Sequence, residues 1–285
     1  MKVDAHQHFW RIARGDYFWL SPSLSALYRD FEAHDLKPLL DAAGIDATVL
    51  VQAAATVAET RHLLSLADLE PWILGVVGWV DFDQPEQAIA DLQSLCNHKK
   101  LVGIRPMIQD IKDTDWMLQR SLDPVFEELI DHDLAFDALV KPPHLECLVD
   151  LLARHPRMAA VVDHAAKPEI ARGRKGAHFD HWSKFMRILG RDTAAFCKLS
   201  GLVTEADHDW TKDDLRPYVD VLLESFGPSR LMFGSDWPVL LIRGTYEGWH
   251  LAATELLSAL SPTEKAAVFG ATAARFYRLR PRQPG

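Results

Sequence analysis

The sequence is poor in cysteine and contains no Cys-x-x-Cys pair. Its three cysteines, Cys96, Cys147 and Cys197, lie far apart in a chain of 285 residues. A sparse, odd set of this kind excludes a disulfide framework and is typical of reduced thiols in the core of a cytosolic protein. The amino terminus also lacks the apolar segment of a secretory signal peptide. We therefore expect a cytoplasmic protein.

Long apolar runs and a surplus of positive charge are missing as well. The longest apolar run, residues 72–80, is too short to cross a bilayer. The formal net charge is −9 at pH 7, whereas binding to nucleic acid or to an anionic membrane needs a basic surface. We expect a small-molecule ligand, with no nucleic acid and no membrane among the partners. The sequence leaves the oligomeric state open, and a homodimer is compatible with it.

No Gly-x-Gly-x-x-Gly motif follows a predicted strand, so the dinucleotide-binding signature of an open doubly wound sheet is absent. The chain instead alternates short apolar runs with helical segments. The apolar runs are continuous, as in parallel strands that are buried on both faces. About eight such strands alternate with helices, and no linker or change in composition marks a second domain. These features predict an α/β fold, a (β/α)8 TIM barrel formed as a single domain by residues 1–285.

Polar residues stand where the predicted strands end, and in a (β/α)8 barrel the carboxyl ends of the strands carry the chemistry. The first strand runs into His6 and His8, which lie two residues apart and so point to the same side of an extended chain. The opposite rim has no comparable set. We expect a functional site formed by the residues at these ends, which are His6, His8, Gln52, Trp79, Asp81, Arg105, Lys141, His164, Lys198 and Asp236.

Three histidines and one aspartate of this rim suit a metal ion. His6, His8, His164 and Asp236 offer three nitrogen ligands and one oxygen ligand, which fits Zn²⁺ or a similar cation with an open position for water. The metal would acidify that water, and Asp236 would take its proton as general base. The same groups also make sense without metal, with Asp236 activating water directly and the histidines polarising the substrate. The spacing does not choose between the two.

Cationic side chains indicate what the site binds. Arg105, Lys141, Lys167 and Lys198 are suited to stabilising an oxyanion or to binding hydroxyl and carboxylate oxygens. Lysines supply point charges without the bidentate fork of arginine, which favours a polyhydroxylated substrate with one reactive carbonyl over a dicarboxylate. The candidate substrate-binding residues are Arg105, Lys141, Lys167, Lys198, Trp19, Gln52 and Trp237.

Aromatic residues near the predicted site have two readings. Trp10, Trp19 and Trp237 are candidates for flat apolar walls against a sugar ring, with core packing as the alternative. The segment 10–31 is rich in aromatics and has no clear period. Long loops in compact domains are often functional, so we expect a lid or a pocket wall. A loop that its aromatics pin to the surface is the alternative.

Four motifs together resemble a known superfamily. They are His6-Gln7-His8-Phe9-Trp10, Val162-Asp163-His164 with Lys167-Pro168, Lys198-Leu199-Ser200-Gly201 and Phe233-Gly234-Ser235-Asp236-Trp237-Pro238. They resemble the amidohydrolase superfamily, and within it the amidohydrolase-2 branch of sugar-acid lactonases and the related pyrone-dicarboxylate lactonase. The resemblance implies a (β/α)8 barrel that hydrolyses an intramolecular ester, with His6, His8, His164 and Asp236 at the matching catalytic positions. It places Arg105, Lys167 and Lys198 at substrate-facing positions.

The resemblance also bears on metal content. Many superfamily members bridge two metals through a carboxylated lysine, but here only Lys141 ends the predicted fifth strand and no second full histidine set accompanies it. Members of this branch can work without metal. The expectation is therefore at most one divalent metal, such as zinc, and the sequence leaves open whether the enzyme requires it.

The expected function is hydrolysis of a sugar-acid lactone, of the L-fucono-, L-rhamnono- or galactonolactone kind, by water that Asp236 activates. The main alternative is a zinc-dependent decarboxylase of a carboxylated aromatic or muconate, which would use the same residues. A ligand-binding protein that has lost catalysis is a third interpretation, which the complete set of His6, His8, His164 and Asp236 disfavours.

Overall fold

Eight parallel strands form the centre of the molecule. The computed structural model describes residues 1–280 and places these strands in one sheet, whose order is the order of the sequence. The strands are β1 (Val3–Gln7), β2 (Ala47–Val51), β3 (Ile73–Gly78), β4 (Leu101–Ile104), β5 (Ala135–Ala138), β6 (Ala160–Val162), β7 (Phe196–Leu199) and β8 (Leu231–Phe233). Their residues are mostly apolar and almost wholly buried, as in strands that are covered on both faces.

An α-helix follows each strand, and two short helices complete the described residues. The helices are α1 (Ala33–Ala43), α2 (Val57–Leu69), α3 (Pro85–Leu95), α4 (Asp123–Asp131), α5 (Leu145–Arg154), α6 (Ala177–Asp192), α7 (Lys212–Phe226), α8 (Tyr246–Leu256), α9 (Pro262–Ala266) and α10 (Thr272–Phe276). The predicted (β/α)8 barrel is thus confirmed. Residues 281–285 lie outside the described part, so the domain boundary at residue 285 stays a prediction.

The barrel closes through backbone hydrogen bonds just beyond β8. The Asp236 N–H donates to the His6 carbonyl oxygen at 2.8 Å, and the His8 N–H donates to the Trp237 carbonyl oxygen at 2.7 Å. The first and last sequence motifs therefore meet at this seam. The closure of the barrel and the placement of Asp236 beside the histidines depend on the same bonds.

A bulge in β1 decides where His6 points. Asp4 pairs with Thr48 and Gln7 with Leu50, so β1 contains one more residue than β2 over this interval. Ala5 packs in an apolar cluster with side chains of β2 and β8, while the next residue, His6, contacts Lys198 of β7. Strict alternation would put Ala5 and His6 on opposite faces, and the extra residue re-aims His6.

The last helical residues are not a regular α-helix. They run from α9 through a π-helical segment, Ala267–Ala271, into α10, and the π-helical segment has a kink at Gly270. Gly270 lies against the first residues of the chain, where a Cβ atom would stand 2.2 Å from the Met1 carbonyl oxygen. Within residues 1–280, no helix combines the length and the apolar character that crossing a membrane requires.

Candidate active site

Three histidines and one aspartate from distant parts of the chain converge at the carboxyl ends of the strands. His6 Nε2 lies 3.1 Å from His8 Nε2, and Asp236 Oδ1 lies 3.3 Å from His8 Nε2. His6 Nε2 and His164 Nε2 are each 3.8 Å from the same Asp236 oxygen. All four side chains are buried. The structure therefore brings together the catalytic set that the sequence predicts.

Hydrogen bonds orient two of these imidazoles. His8 Nδ1 lies 2.8 Å from the Val51 carbonyl oxygen, which can only accept, so this nitrogen carries the proton and His8 Nε2 keeps its lone pair. His164 Nδ1 lies 2.9 Å from the Ser200 hydroxyl. Gly201 makes room for that ring, since a Cβ atom there would stand 2.7 Å from it. The Lys198–Gly201 motif thus supports His164.

The backbone that carries the site is strained. His164, Ala165, Ala166 and Lys167 all have positive φ angles, between 50° and 59°, and Asp236 has a φ of 58°. A non-glycine residue in this left-handed region costs about 1–2 kcal/mol. Such strain collects where a fold holds functional side chains in a required position. Here it turns the chain sharply after β6, immediately at His164.

Arg105 reaches the histidines from the end of β4. Its Nη1 lies 3.3 Å from His6 Nε2 and 3.4 Å from Asp163 Oδ2, and its Nη2 donates to the Gln52 carbonyl oxygen. The Gln52 side chain in turn donates to the Arg105 carbonyl oxygen at 2.7 Å. Gln52, predicted to bind substrate, thus uses its amide nitrogen to hold Arg105.

Lys198 lies behind the histidines and not at the mouth of the barrel. Its side chain is completely buried, with Nζ 2.5 Å from Asp137 Oδ2, 2.9 Å from Asp163 Oδ1 and 3.0 Å from His6 Nδ1. The Tyr277 hydroxyl donates to Asp137 at 2.7 Å. Lys198 is thus directed at protein groups, with hydrogen bonds to Asp137 and His6 and an ion pair with Asp163, so its predicted contact with substrate gains no support.

The tryptophans separate into core and rim. Trp237 is 2% exposed and packs edge-on against Phe31, and Trp10 is buried as well, so neither forms an open wall for a sugar ring. Trp19 is 37% exposed and donates to the Ala53 carbonyl oxygen just beyond β2, which keeps it available at the rim.

The segment 10–31 is closed at its ends and held to the rim through Trp19. Trp10 and Phe31 form a two-way backbone bridge at 3.0 and 2.9 Å, the Trp10 indole donates to the Arg29 carbonyl oxygen at 2.9 Å, and the Trp19 indole donates to the Ala53 carbonyl oxygen at 2.8 Å. The predicted lid is therefore not supported, and the alternative of a loop pinned by its aromatics describes it. Of the two remaining predicted cations, Lys141 is exposed and Lys167 is half-buried.

Burial sets the charge states of the cluster. It lowers the pKa of His6 and of His8, and lowers that of His164 to about 4. Burial alone would raise the pKa of Asp236. The imidazolium forms of His164, His6 and His8 lower it by their charge, a hydrogen bond with His8 adds to this, and together they hold the pKa below its usual range. At neutral pH Asp236 is therefore ionised and the three imidazoles are neutral.

Several polar residues of the site have no predicted role. Asp4 accepts hydrogen bonds from the Ser235 N–H at 2.8 Å, the His6 N–H at 3.2 Å and the Tyr246 hydroxyl at 3.1 Å. It therefore ties β1 to the chain next to Asp236. The sequence could have pointed to Asp4 and Asp137, because each is a charged residue inside a mainly apolar strand, β1 and β5 respectively.

The spacing of the cluster is compatible with a divalent cation. His6, His8 and Asp236 form one group of potential ligands, and His6, Asp163 and His164 form another. Ligand atoms of a tetrahedral zinc with bonds of about 2.0–2.1 Å stand about 3.3 Å apart. The 3.1 and 3.3 Å separations around His8 Nε2 match that value. By spacing and donor type, these residues fit one zinc ion, with His164 as a further ligand.

Comparison with known proteins gives the family. A family model described as amidohydrolase matches residues 3–279. The chain belongs to the amidohydrolase family. This confirms the resemblance seen in the four motifs, and it places the His6/His8 pair, His164 and Asp236 within one known type of barrel.

The similarity extends over whole relatives. An L-fucono-1,5-lactonase of Burkholderia ambifaria is 44% identical over 282 residues, covering 98% of this chain and 96% of that protein. An L-fucono-1,5-lactonase of Burkholderia multivorans is 38% identical over 292 residues, with 98% and 96% covered. A crystal structure of a Burkholderia multivorans amidohydrolase with bound zinc superimposes with a TM-score of 0.92 at 36% identity, covering 98% of this chain and 100% of that chain.

Proposed function

We propose that this amidohydrolase opens the lactone ring of a sugar acid, and that L-fucono-1,5-lactone is the first substrate to test. The observation that carries the proposal is the ionised Asp236 held 3.3 Å from His8 Nε2 among three neutral imidazoles. This is a general base beside potential hydrogen-bonding and electrophilic groups. The two curated relatives that share 44% and 38% of their residues with this chain are L-fucono-1,5-lactonases.

The geometry suggests how the chain's own residues do this. Asp236 takes a proton from water as the water oxygen bonds to the lactone carbonyl carbon. Arg105, with Nη1 3.3 Å from His6 Nε2, and the histidines stabilise the oxyanion that forms. The bond from carbon to the ring oxygen then breaks, and Asp236 returns the proton to that oxygen. The product is the open-chain sugar acid, with a carboxylic acid and a new hydroxyl group, and Asp236 is again ionised.

We also propose that the site can hold one divalent cation. His6, His8, His164 and Asp236 are the residues that would hold it. When bound, a zinc ion would polarise the carbonyl and acidify water. We propose that activity does not depend on it. Asp236 is already ionised without a metal nearby, since the facing imidazoles lower its pKa.

The substrate hydroxyls require partners at the rim. Trp19, Lys141 and Lys167 remain the predicted substrate-binding residues there, joined by Arg105 deeper in the site. The decarboxylase alternative gains no support from the two curated relatives, both of which are named lactonases. Cytoplasmic location, absence of nucleic-acid or membrane partners and a homodimeric state stay as predictions.

A lactone panel tests the proposal. Acid release from L-fucono-1,5-lactone, L-rhamnonolactone and a galactonolactone would be followed with a pH indicator, against the spontaneous rate, with and without a chelator. We expect turnover of at least one member, undiminished by the chelator. Absence of turnover on every member by folded protein would contradict the lactonase proposal. Turnover that disappears with the chelator and returns with zinc would contradict only the proposal that metal is dispensable.

A further inference from the structure

The buried ammonium group of Lys198 constrains the protons of His6. Its Nζ has three acceptors within hydrogen-bonding distance: Asp137 at 2.5 Å, Asp163 at 2.9 Å and His6 Nδ1 at 3.0 Å. A lysine ammonium has three protons to donate and no lone pair to accept with. The nitrogen of His6 that faces it must therefore be the acceptor.

A neutral imidazole carries one proton, so the His6 proton is left on Nε2. We infer that Lys198 is a positioning residue that holds His6 in the Nε2–H tautomer. His8 has the opposite arrangement, because its Nδ1 proton is donated to the Val51 carbonyl oxygen and its Nε2 is free to accept. The His6 Nε2–H thus faces a lone pair on His8 Nε2 at 3.1 Å, which is a matched donor and acceptor.

Two other charged groups lie near the nitrogens of His6. Arg105 Nη1 lies 3.3 Å from His6 Nε2, but Arg105 has acceptors of its own in Asp163 and in the Gln52 carbonyl oxygen. Asp163 Oδ1 stands 3.7 Å from His6 Nδ1, closer to Lys198 than to the ring. If the ammonium were removed, Asp163 would be the acceptor nearest to His6 Nδ1, and the ring would take the other tautomer.

The tautomer has a consequence for metal binding. A metal needs the lone pair of each ligating nitrogen, and in the Nε2–H tautomer His6 withholds it on the side that faces His8 and Asp236. On the other side, the ammonium itself lies between His6 and Asp163, two of the three residues in the second potential metal group. Lys198 therefore weakens metal binding on both sides of His6. This inference does not rest on the proposed lactonase function.

The test compares two variants that differ at position 198. Asp137→Asn alone keeps Lys198 and its bond to His6. Lys198→Met combined with Asp137→Asn removes the ammonium together with one of its two counter-charges, and the amide oxygen introduced at position 137 can still accept from the Tyr277 hydroxyl. Long-range ¹H–¹⁵N spectra of histidine-labelled, metal-free protein identify each tautomer, and the loss of signals in His6→Gln assigns His6.

We expect His6 as the Nε2–H tautomer in the wild type and in Asp137→Asn, and as the Nδ1–H tautomer in the double variant. Zinc affinity, measured by equilibrium dialysis, should rise at least about tenfold in the double variant over Asp137→Asn, the change that 1.4 kcal/mol produces. An Nδ1–H His6 in the wild type overturns the inference even if the double variant does not fold. An unchanged tautomer, or an unchanged zinc affinity, in a folded double variant also overturns it. None of these measurements involves lactone turnover.

Discussion

Replacing Asp236 with asparagine removes the proposed base with little change in shape. The amide oxygen can occupy the place of Oδ1 next to His8, but the amide cannot take a proton from water. A positioned general base contributes about 10²–10⁴-fold to rate, or about 3–5 kcal/mol of barrier. Because the pKa of Asp236 lies below its usual range, the wild-type base is ionised throughout the neutral pH range. We expect Asp236→Asn to lower kcat by at least about a hundredfold.

We do not expect Asp236→Asn to lose activity through a loss of folded protein. Within residues 1–280, the buried part of the site holds the four carboxyl groups of Asp4, Asp137, Asp163 and Asp236 but only two cations, Arg105 and Lys198. The asparagine variant removes one carboxylate of this surplus and should fold as well as the wild type. Initial rates on L-fucono-1,5-lactone, with thermal unfolding of the same samples and the exposed-site variant Asp110→Asn as control, decide the matter. A folded Asp236→Asn that keeps more than a tenth of wild-type kcat would refute Asp236 as the base.

Three further predictions test how the site is held. Gly201→Ala and Gly173→Ala both place a side chain at positive φ, but only the first meets another group, at 2.7 Å from the His164 ring. In denaturant titrations we expect Gly173→Ala to lose about 1–2 kcal/mol of unfolding free energy, and Gly201→Ala to lose more because its Cβ also displaces that ring. Only Gly201→Ala should lose most of its turnover. Arg105→Lys keeps the positive charge but loses one of the two terminal nitrogens through which Arg105 makes its contacts. We expect kcat/KM on the same lactone to fall at least about tenfold. Unchanged kinetics would show that Arg105 does not stabilise the oxyanion. Burial raises the pKa of Glu59 from 4.5 to about 7, so the folded state binds the extra proton between these values and loses stability as pH rises through them. Urea titrations at pH 5 and pH 8 should show Glu59→Gln gaining about 2 kcal/mol on the wild type across this interval, and parallel pH profiles would contradict the shift.

The parts of the site that the sequence predicts are those that follow from strand direction. Parallel strands in a barrel bring their carboxyl ends to one edge, so polar residues at the ends of β1, β6 and β8 had to meet once the barrel was inferred. His6, His8, His164 and Asp236 do meet there, with separations of 3.1–3.8 Å. The continuous apolar runs that alternate with helical segments predicted the strands, because strands buried on both faces have no polar face.

What sequence reasoning missed depends on contacts between distant elements. The extra residue in β1 that re-aims His6 has no local signature in an apolar strand. The sequence places Lys198 at the end of a predicted strand, where a lysine is expected to face solvent or substrate. In the structure its ion pairs with Asp137 of β5 and Asp163 beyond β6 hold its side chain in the interior. Trp237 stands next to the base in sequence, but its ring packs against Phe31 in the core. None of these placements could be predicted from the sequence, because each depends on which distant elements pack together.

Ion pairing explains why Asp236, and not a neighbouring carboxylate, is the base. Asp137 is neutralised by Lys198, and Asp163 lies within reach of both Lys198 and Arg105. Among residues 1–280, the partners of Asp236 are imidazoles, at 3.3–3.8 Å. Burial raises the pKa of Asp137 to about 6 in spite of its ion pair with Lys198, so proton affinity does not single out Asp236. Its position does, because Asp137 and Asp163 are held by the two buried cations, whereas Asp236 faces all three imidazoles and can take a proton without breaking an ion pair.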